Sequence, residues 1–306
     1  MTEPLQLLKP HDKDLGGGFV VRRLLPAAQR RSVGPFVFFD HMGPVTEHPE
    51  DRHDVRPHPH IGLATVTYLF EGAMMHRDSL GSVQEIRPGA INWMTAGRGI
   101  VHSERKPERL KGETYLNHGL QLWVALPKAH EEIEPSFVHT PADAIPALTE
   151  QGAAVRVLVG EAFGARSPVA TLSETLYLDI HLPAGARFEL PALAPERAVY
   201  AVDGSLRIDG EALAQHAMAV LPEGRGVVLE AEAPVRLAVI GGAPLDGPRY
   251  ITWNFVSSRR ERILQAGEDW AAQRMGHVPG ETEFIPLPGH PFQVQSPTPD
   301  TGTTPG

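Results

Sequence analysis

The sequence predicts an all-β protein made of two β-barrels in tandem, with a short C-terminal helix. Three observations carry this. First, residues 56–104, RPHPHIGLATVTYLFEGAMMHRDSLGSVQEIRPGAINWMTAGRGIVHSE, hold short β-branched and aromatic runs divided by glycine turns, which is strand grammar and not helix. Second, the chain has 30 Gly and 29 Pro in 306 residues, the turn chemistry that many short strands need. Third, the module occurs twice. RAVYAVDGSLRIDG at 197–210 echoes TVTYLFEGAMMHRDSLG, and EGRGVVLEA at 223–231 echoes AGRGIVHSE. A chain of 306 residues accommodates two domains of about 150 residues each.

In chain order, residues 19–25 and 36–39 read as strands. Arg22, Arg23, Arg30 and Arg31 form a basic cluster, read as a solvated strand edge and turn in preference to an anion or partner site. Asp40-His41 is placed in a loop, where local hydrogen bonding and pocket lining are equally compatible. Residues 46–55 are polar and loop-like, with His48 and His53 exposed. Further strands follow, one of them carrying His76 and another led by His118. Phe70, Trp93 and Met94 fit either the wall of an apolar cavity or ordinary core.

The chemistry lies at the two ends of the 56–104 stretch. Side chains two apart on a strand share a face, so His58 and His60 project together, as do His102 and Glu104. The two pairs are separated by some forty residues and converge if the strands curl into a barrel. Three imidazoles and a carboxylate would then share one interior point, which predicts a metal site. Donors of this kind without thiolate suit Fe, Mn, Co, Ni, Cu or Zn. Four protein ligands on a six-coordinate ion leave two positions open, and a Glu104 oxygen could accept a proton from a bound hydroxyl. The spacing of His76 and His118 matches no ligand position, so both are read as hydrogen-bonded or solvated.

His58-Pro59-His60, GRGIVHSE at 97–104, DHMGP at 40–44 and HGLQLWVALP at 118–127 resemble the first cupin module of the pirin family, with likeness over roughly residues 10–288. The general cupin pattern puts a Glu where this chain has Thr65, although its following Gly is present as Gly72. Pirins take the carboxylate from two residues past the third His, where Glu104 stands. The resemblance implies two cupin (jelly-roll-type) barrels, metal ligands His58, His60, His102 and Glu104, and Fe(II) as the first choice of ion. It also implies an Asp40-His41 pair at the pocket mouth, and a monomer. Quercetin 2,3-dioxygenase activity recurs in the family, which implies a flavonol-like substrate and dioxygen. The family also implies an alternative, a non-enzymatic iron-dependent regulator with a protein partner. Structural zinc fits less well, since such sites usually contain Cys.

Residues 1–135 are expected to form the metal-binding cupin domain and 136–288 a degenerate one, with 128–152 as the connection. In the register of the repeat, His102 and Glu104 become Leu229 and Ala231. Counting back from Gly204 without gaps, His58 and His60 become Leu190 and Ala192, so the second lobe has no ligands. Residues 250–256 read as a strand and 258–275 as a helix, with Ile263, Leu264, Gly267 and Trp270 on its packing stripe and Gly276 ending it. Residues 289–306, rich in Pro, Thr and Gly, are expected to be disordered.

Composition excludes several classes. Cysteine is absent, so there is no disulfide, zinc-thiolate site or thiol nucleophile. A net charge of -9 argues against a broad basic face for nucleic acid. No apolar run approaches the length of a membrane span, and the start of the chain lacks a basic-then-apolar signal. A soluble cytoplasmic protein is the expectation.

Overall fold

The computed structural model describes residues 4–16 and 18–289. Its secondary structure is mostly β, with one α-helix among the described residues. In the first lobe a seven-stranded antiparallel sheet has the order Ser136–Thr140, Ile91–Thr95, Leu63–Glu71, Tyr115–Ala125, Phe36–Glu47, Val20–Leu25, His11–Asp14. Facing it is a four-stranded sheet, ordered Val55–His60, Ile100–Arg105, Met74–Asp78, Val83–Ile86. The second lobe repeats this plan. Its four-stranded sheet runs Ala186–Leu190, Val227–Ala231, Leu206–Ile208, Glu211–Leu213. The tandem of two cupin barrels is therefore as expected.

The two large sheets pack back to back. Leu63, Met94, Ile100 and Trp123 point into the first barrel. Ala64, Val66, Tyr68, Phe70, Trp93, Leu120 and Leu122 form one cluster with Leu158, Tyr177, Tyr200 and Ile240 of the second lobe. Both faces of the strand Leu63–Glu71 are thus buried, with Thr65 and Thr67 the polar residues among them. Phe70 and Trp93 belong to this core between lobes, and Met94 to the core inside the barrel.

Several local expectations are corrected. Asp40 and His41 lie inside the long strand Phe36–Glu47 and are buried. Asp40 holds the Arg23 guanidinium at 2.8 and 2.7 Å. His41 faces the other lobe, sharing hydrogen bonds with the Tyr200 hydroxyl at 2.6 Å and His118 Nε2 at 2.7 Å. The pocket-mouth role implied for the pair does not hold for His41, which the pleat turns to the lobe interface, whereas Asp40 stands cross-strand from Gln121 on the opposite face. The arginines are not simply solvated either. Arg22 donates to the Gly43 carbonyl at 2.6 Å, and Arg30 pairs with Glu196 of the second lobe at 3.0 Å.

Residues 128–152 are not a plain connection. Ser136–Thr140 completes the first lobe's large sheet and Ala147–Glu150 the second's, so the crossing narrows to residues 141–146. Both chain ends cross over as well. Gln6–Leu8 pairs with Met218–Val220 in the second lobe. The C-terminal segment returns to the first lobe as a hairpin of Tyr250–Thr252 and Phe255–Ser257, not one strand, followed by the helix Arg260–Ala271. Its Phe255, Ile263, Ala266 and Trp270 pack on Ile61 and Val101, behind the strands that carry the histidines. The tail from residue 290 lies outside the described residues.

Candidate metal centre

His58 and His60 lie on Val55–His60 and His102 and Glu104 on Ile100–Arg105, adjacent antiparallel strands in which His102 pairs with His58 and Ile100 with His60. Val55–His60 is an edge strand, which is why Pro57 and Pro59 are tolerated in it. The open edge is covered by the returning C-terminal segment, where Ile285 N–H donates to the Pro57 carbonyl at 2.8 Å.

The three histidines converge as the sequence predicts. One ring nitrogen from each lies within 4.8 Å of the others, and all three side chains are buried. His58 Nδ1–H donates to the Arg56 carbonyl at 2.9 Å and His60 Nδ1–H to the Asn254 carbonyl at 3.1 Å. A carbonyl only accepts, so these contacts leave both Nε2 lone pairs free. Neither ring nitrogen of His102 has a hydrogen-bond partner although both are buried. An orphaned imidazole between two oriented ones fits a metal ion, which would take up the lone pair that nothing else uses. Burial lowers the pKa of His58 to about 4 and those of His60 and His102 well below the ordinary value. All three rings are therefore neutral and ligand-competent at pH 7.

Glu104 stands beside this triplet, outside the group of atoms within 4.8 Å of one another. It keeps the register of His102 against Met74–Asp78, and so the same face of the strand, and it lines a surface cleft with Phe19, Met74, Tyr115 and Asn117. Burial raises its carboxyl to about 7. Gln121 Nε2–H donates to Glu104 Oε1 at 3.2 Å, and Thr67 Oγ–H donates to Gln121 Oε1 at 2.7 Å. Thr67 thereby fixes which way the amide faces. Sequence reading passed over both residues, although a Gln amid the apolar run GLQLWVAL was a usable signal. The Asn254 carbonyl left no signal.

His76 is hydrogen-bonded, as expected. Its Nε2 meets Asp78 at 2.8 Å and its ring stacks on Phe137 at 4.0 Å. His118 meets His41 and not the triplet. His48 is exposed, but His53 is half-buried, stacked on Phe19 and bonded to Glu47. In the second lobe, the pairing of Val227 with Leu190 and Leu229 with Phe188 puts Phe188 and Leu190 where the first lobe has His58 and His60. The gapless count missed by two because the link between Leu190 and Glu196 is two residues longer than its counterpart before Ala64. Phe188, Leu190, Leu229 and Ala231 are all buried in an apolar core.

Two family models match the chain, Pirin over residues 18–124 and the Pirin C-terminal cupin domain over 177–276. A pirin-like protein of Caulobacter vibrioides is 49% identical over 90% of this chain and 96% of its own length. The chain belongs to the pirin family. Pirin of Homo sapiens is 35% identical to this pirin-family chain, over 87% of it and 91% of the human protein. Among solved structures, quercetin 2,3-dioxygenase from Acinetobacter baumannii superposes with a TM-score of 0.88 at 36% identity, covering 95% of this chain and 97% of that one. No helix among the described residues of this pirin-family chain is long and apolar enough to cross a membrane.

Proposed function

We propose that this chain is a metal-dependent dioxygenase of the quercetin 2,3-dioxygenase type, with His58, His60, His102 and Glu104 holding the ion. Fe(II) is the first choice of metal, and the substrate is a flavonol. The observation that carries this reading is the orphaned His102 ring between two imidazoles whose Nε2 lone pairs are set free by main-chain carbonyls. The likeness to the Acinetobacter enzyme supports the reaction class. A bound divalent ion supplies Lewis acidity toward the vicinal oxygens of the flavonol and a place for dioxygen beside it.

The protein's own part is positional and acid–base. Glu104 serves as fourth donor and as the base that takes the proton from the flavonol hydroxyl. Gln121 donates to Glu104 Oε1 and so orients the carboxylate. The apolar sides of Phe19, Ala73 and Met74 along the cleft limit water at the base. The reaction adds dioxygen, opens the central ring and releases carbon monoxide.

The test is oxygen uptake by Fe(II)-loaded protein with quercetin, with metal content measured in parallel. Uptake with carbon monoxide release, lost in Glu104→Gln while iron is retained in part, is expected. A fully metallated protein that consumes no oxygen would overturn the dioxygenase and favour the alternative, an iron-dependent regulator without catalysis.

A further inference from the structure

Besides the histidine triplet, one other group among the described residues brings metal-binding donors together. Glu47, Asp51 and His53 each place a ligand atom within 4.8 Å of the others. Glu47 ends the strand Phe36–Glu47, and Asp51 and His53 lie in the loop that leads into Val55–His60. A cluster of this kind is often only an ion pair closing a loop, and His53 Nδ1 does meet Glu47 Oε1 at 2.9 Å.

A second observation separates it from that case. Glu47 is 1% exposed, and its other oxygen, Oε2, is buried with no hydrogen-bond partner. Asn117 Oδ1 is buried without a partner too, and it lines the same cleft as Glu47 and His53. Both orphans along this cleft are acceptors. Buried acceptors left without donors call for a cation or a donor to answer them. The nearby ammonium does not serve, because Lys106 Nζ is spent on the carbonyls of His48 at 2.8 Å and Asp51 at 3.3 Å.

We propose a second divalent-cation site formed by Glu47, Asp51 and His53 at the cleft that Glu104 also lines. Two carboxylates and an imidazole without thiolate suit Zn2+, Mn2+ or Fe2+. The ion replaces the proton shared by His53 and Glu47 and pins the loop 48–54 to the strand end. The site stands on its own donors and does not depend on the proposed reaction.

Equilibrium dialysis of the full chain against micromolar free Zn2+, with elemental analysis, tests it. Two equivalents per chain are expected in the wild type. The Asp51→Asn/His53→Ala double variant, altered only at half-buried loop positions, should lose one equivalent. The His58→Ala/His102→Ala variant should keep the equivalent that the loop variant loses. X-ray absorption on that protein should then show mainly oxygen ligands. A second equivalent that survives in Asp51→Asn/His53→Ala, or a wild type that binds at most one ion lost in His58→Ala/His102→Ala, would overturn the second site. Failure of the triplet alone would appear differently, as an equivalent insensitive to His58→Ala/His102→Ala but lost with Asp51 and His53.

Discussion

His102 is buried with both ring nitrogens unpartnered, so its place in the metal-free fold carries a cost that the proposed ion would offset. The His102→Ala variant is therefore expected to lose the metal of the triplet while the metal-free protein keeps nearly the wild-type melting temperature. Removing an unsatisfied polar group, worth about 1–3 kcal/mol, offsets much of the cavity it leaves. Thermal unfolding in chelator and metal analysis check the two halves separately. Gln121→Leu tests the other side of the site. Glu104 loses its amide donor, and turnover is expected to fall roughly 10–100-fold with metal content unchanged. These residues were legible in unequal measure. The proposed ligands follow a period of two within single strands, which sequence displays directly. The carbonyl that orients His60 comes from Asn254, 194 residues away, and no local pattern encodes such a contact.

At the scale of elements, the hairpin Tyr250–Ser257 reaches the metal strands through Gly62. Gly62 has φ +67°, and a Cβ there would meet the Val256 carbonyl. Gly62→Ala should push the hairpin off, take the Asn254 carbonyl from His60 and weaken metal binding about 10–100-fold, as measured by competition with a chelator. The lobe interface has its own polar lock, in which the Tyr68 hydroxyl donates to Asp179 at 2.7 Å and Arg236 holds the same carboxylate at 2.9 and 2.6 Å. Burial alone would raise the Asp179 carboxyl, but hydrogen bonds from His181 and Arg236 outweigh it and hold the pKa well below the usual carboxylate range. A depressed folded-state pKa adds stability above the unfolded value of about 3.9 and loses it as pH falls toward the folded value. Denaturant midpoints should therefore drop below about pH 4, and the Asp179→Asn variant should lose about 3–5 kcal/mol near neutrality with a flatter acid limb. Sequence could not choose between cavity and core for Phe70 or Trp93. Strands buried on both faces read as continuous apolar runs, and the alternation that would separate inside from outside is lost.

At the scale of the whole molecule, the two barrels are legible as a repeat, but the exchange of chain ends is not. Three residues at one end, Gln6–Leu8, supply an edge strand to the far lobe, too short a stretch to announce itself. At the other end the helix Arg260–Ala271 reads clearly as amphipathic, yet its period says nothing about which lobe it covers. The placement has a consequence for folding units. A fragment of residues 1–135 lacks Trp270, Phe255 and the Asn254 carbonyl behind the histidine strands. It also lacks Ser136–Thr140 at the sheet edge. Such a fragment is expected to bind no metal and to show no cooperative melt, whereas Trp270→Ala in the full chain should cost about 3–5 kcal/mol and still fold.

The most direct test of the central claim is an anomalous difference map from crystals grown anaerobically with Fe(II). A peak bonded to His58 Nε2, His60 Nε2, a His102 ring nitrogen and a Glu104 oxygen, with nothing comparable among Phe188, Leu190, Leu229 and Ala231, is the expected result. Iron bound at full occupancy elsewhere, with no peak among the three imidazoles, would contradict it.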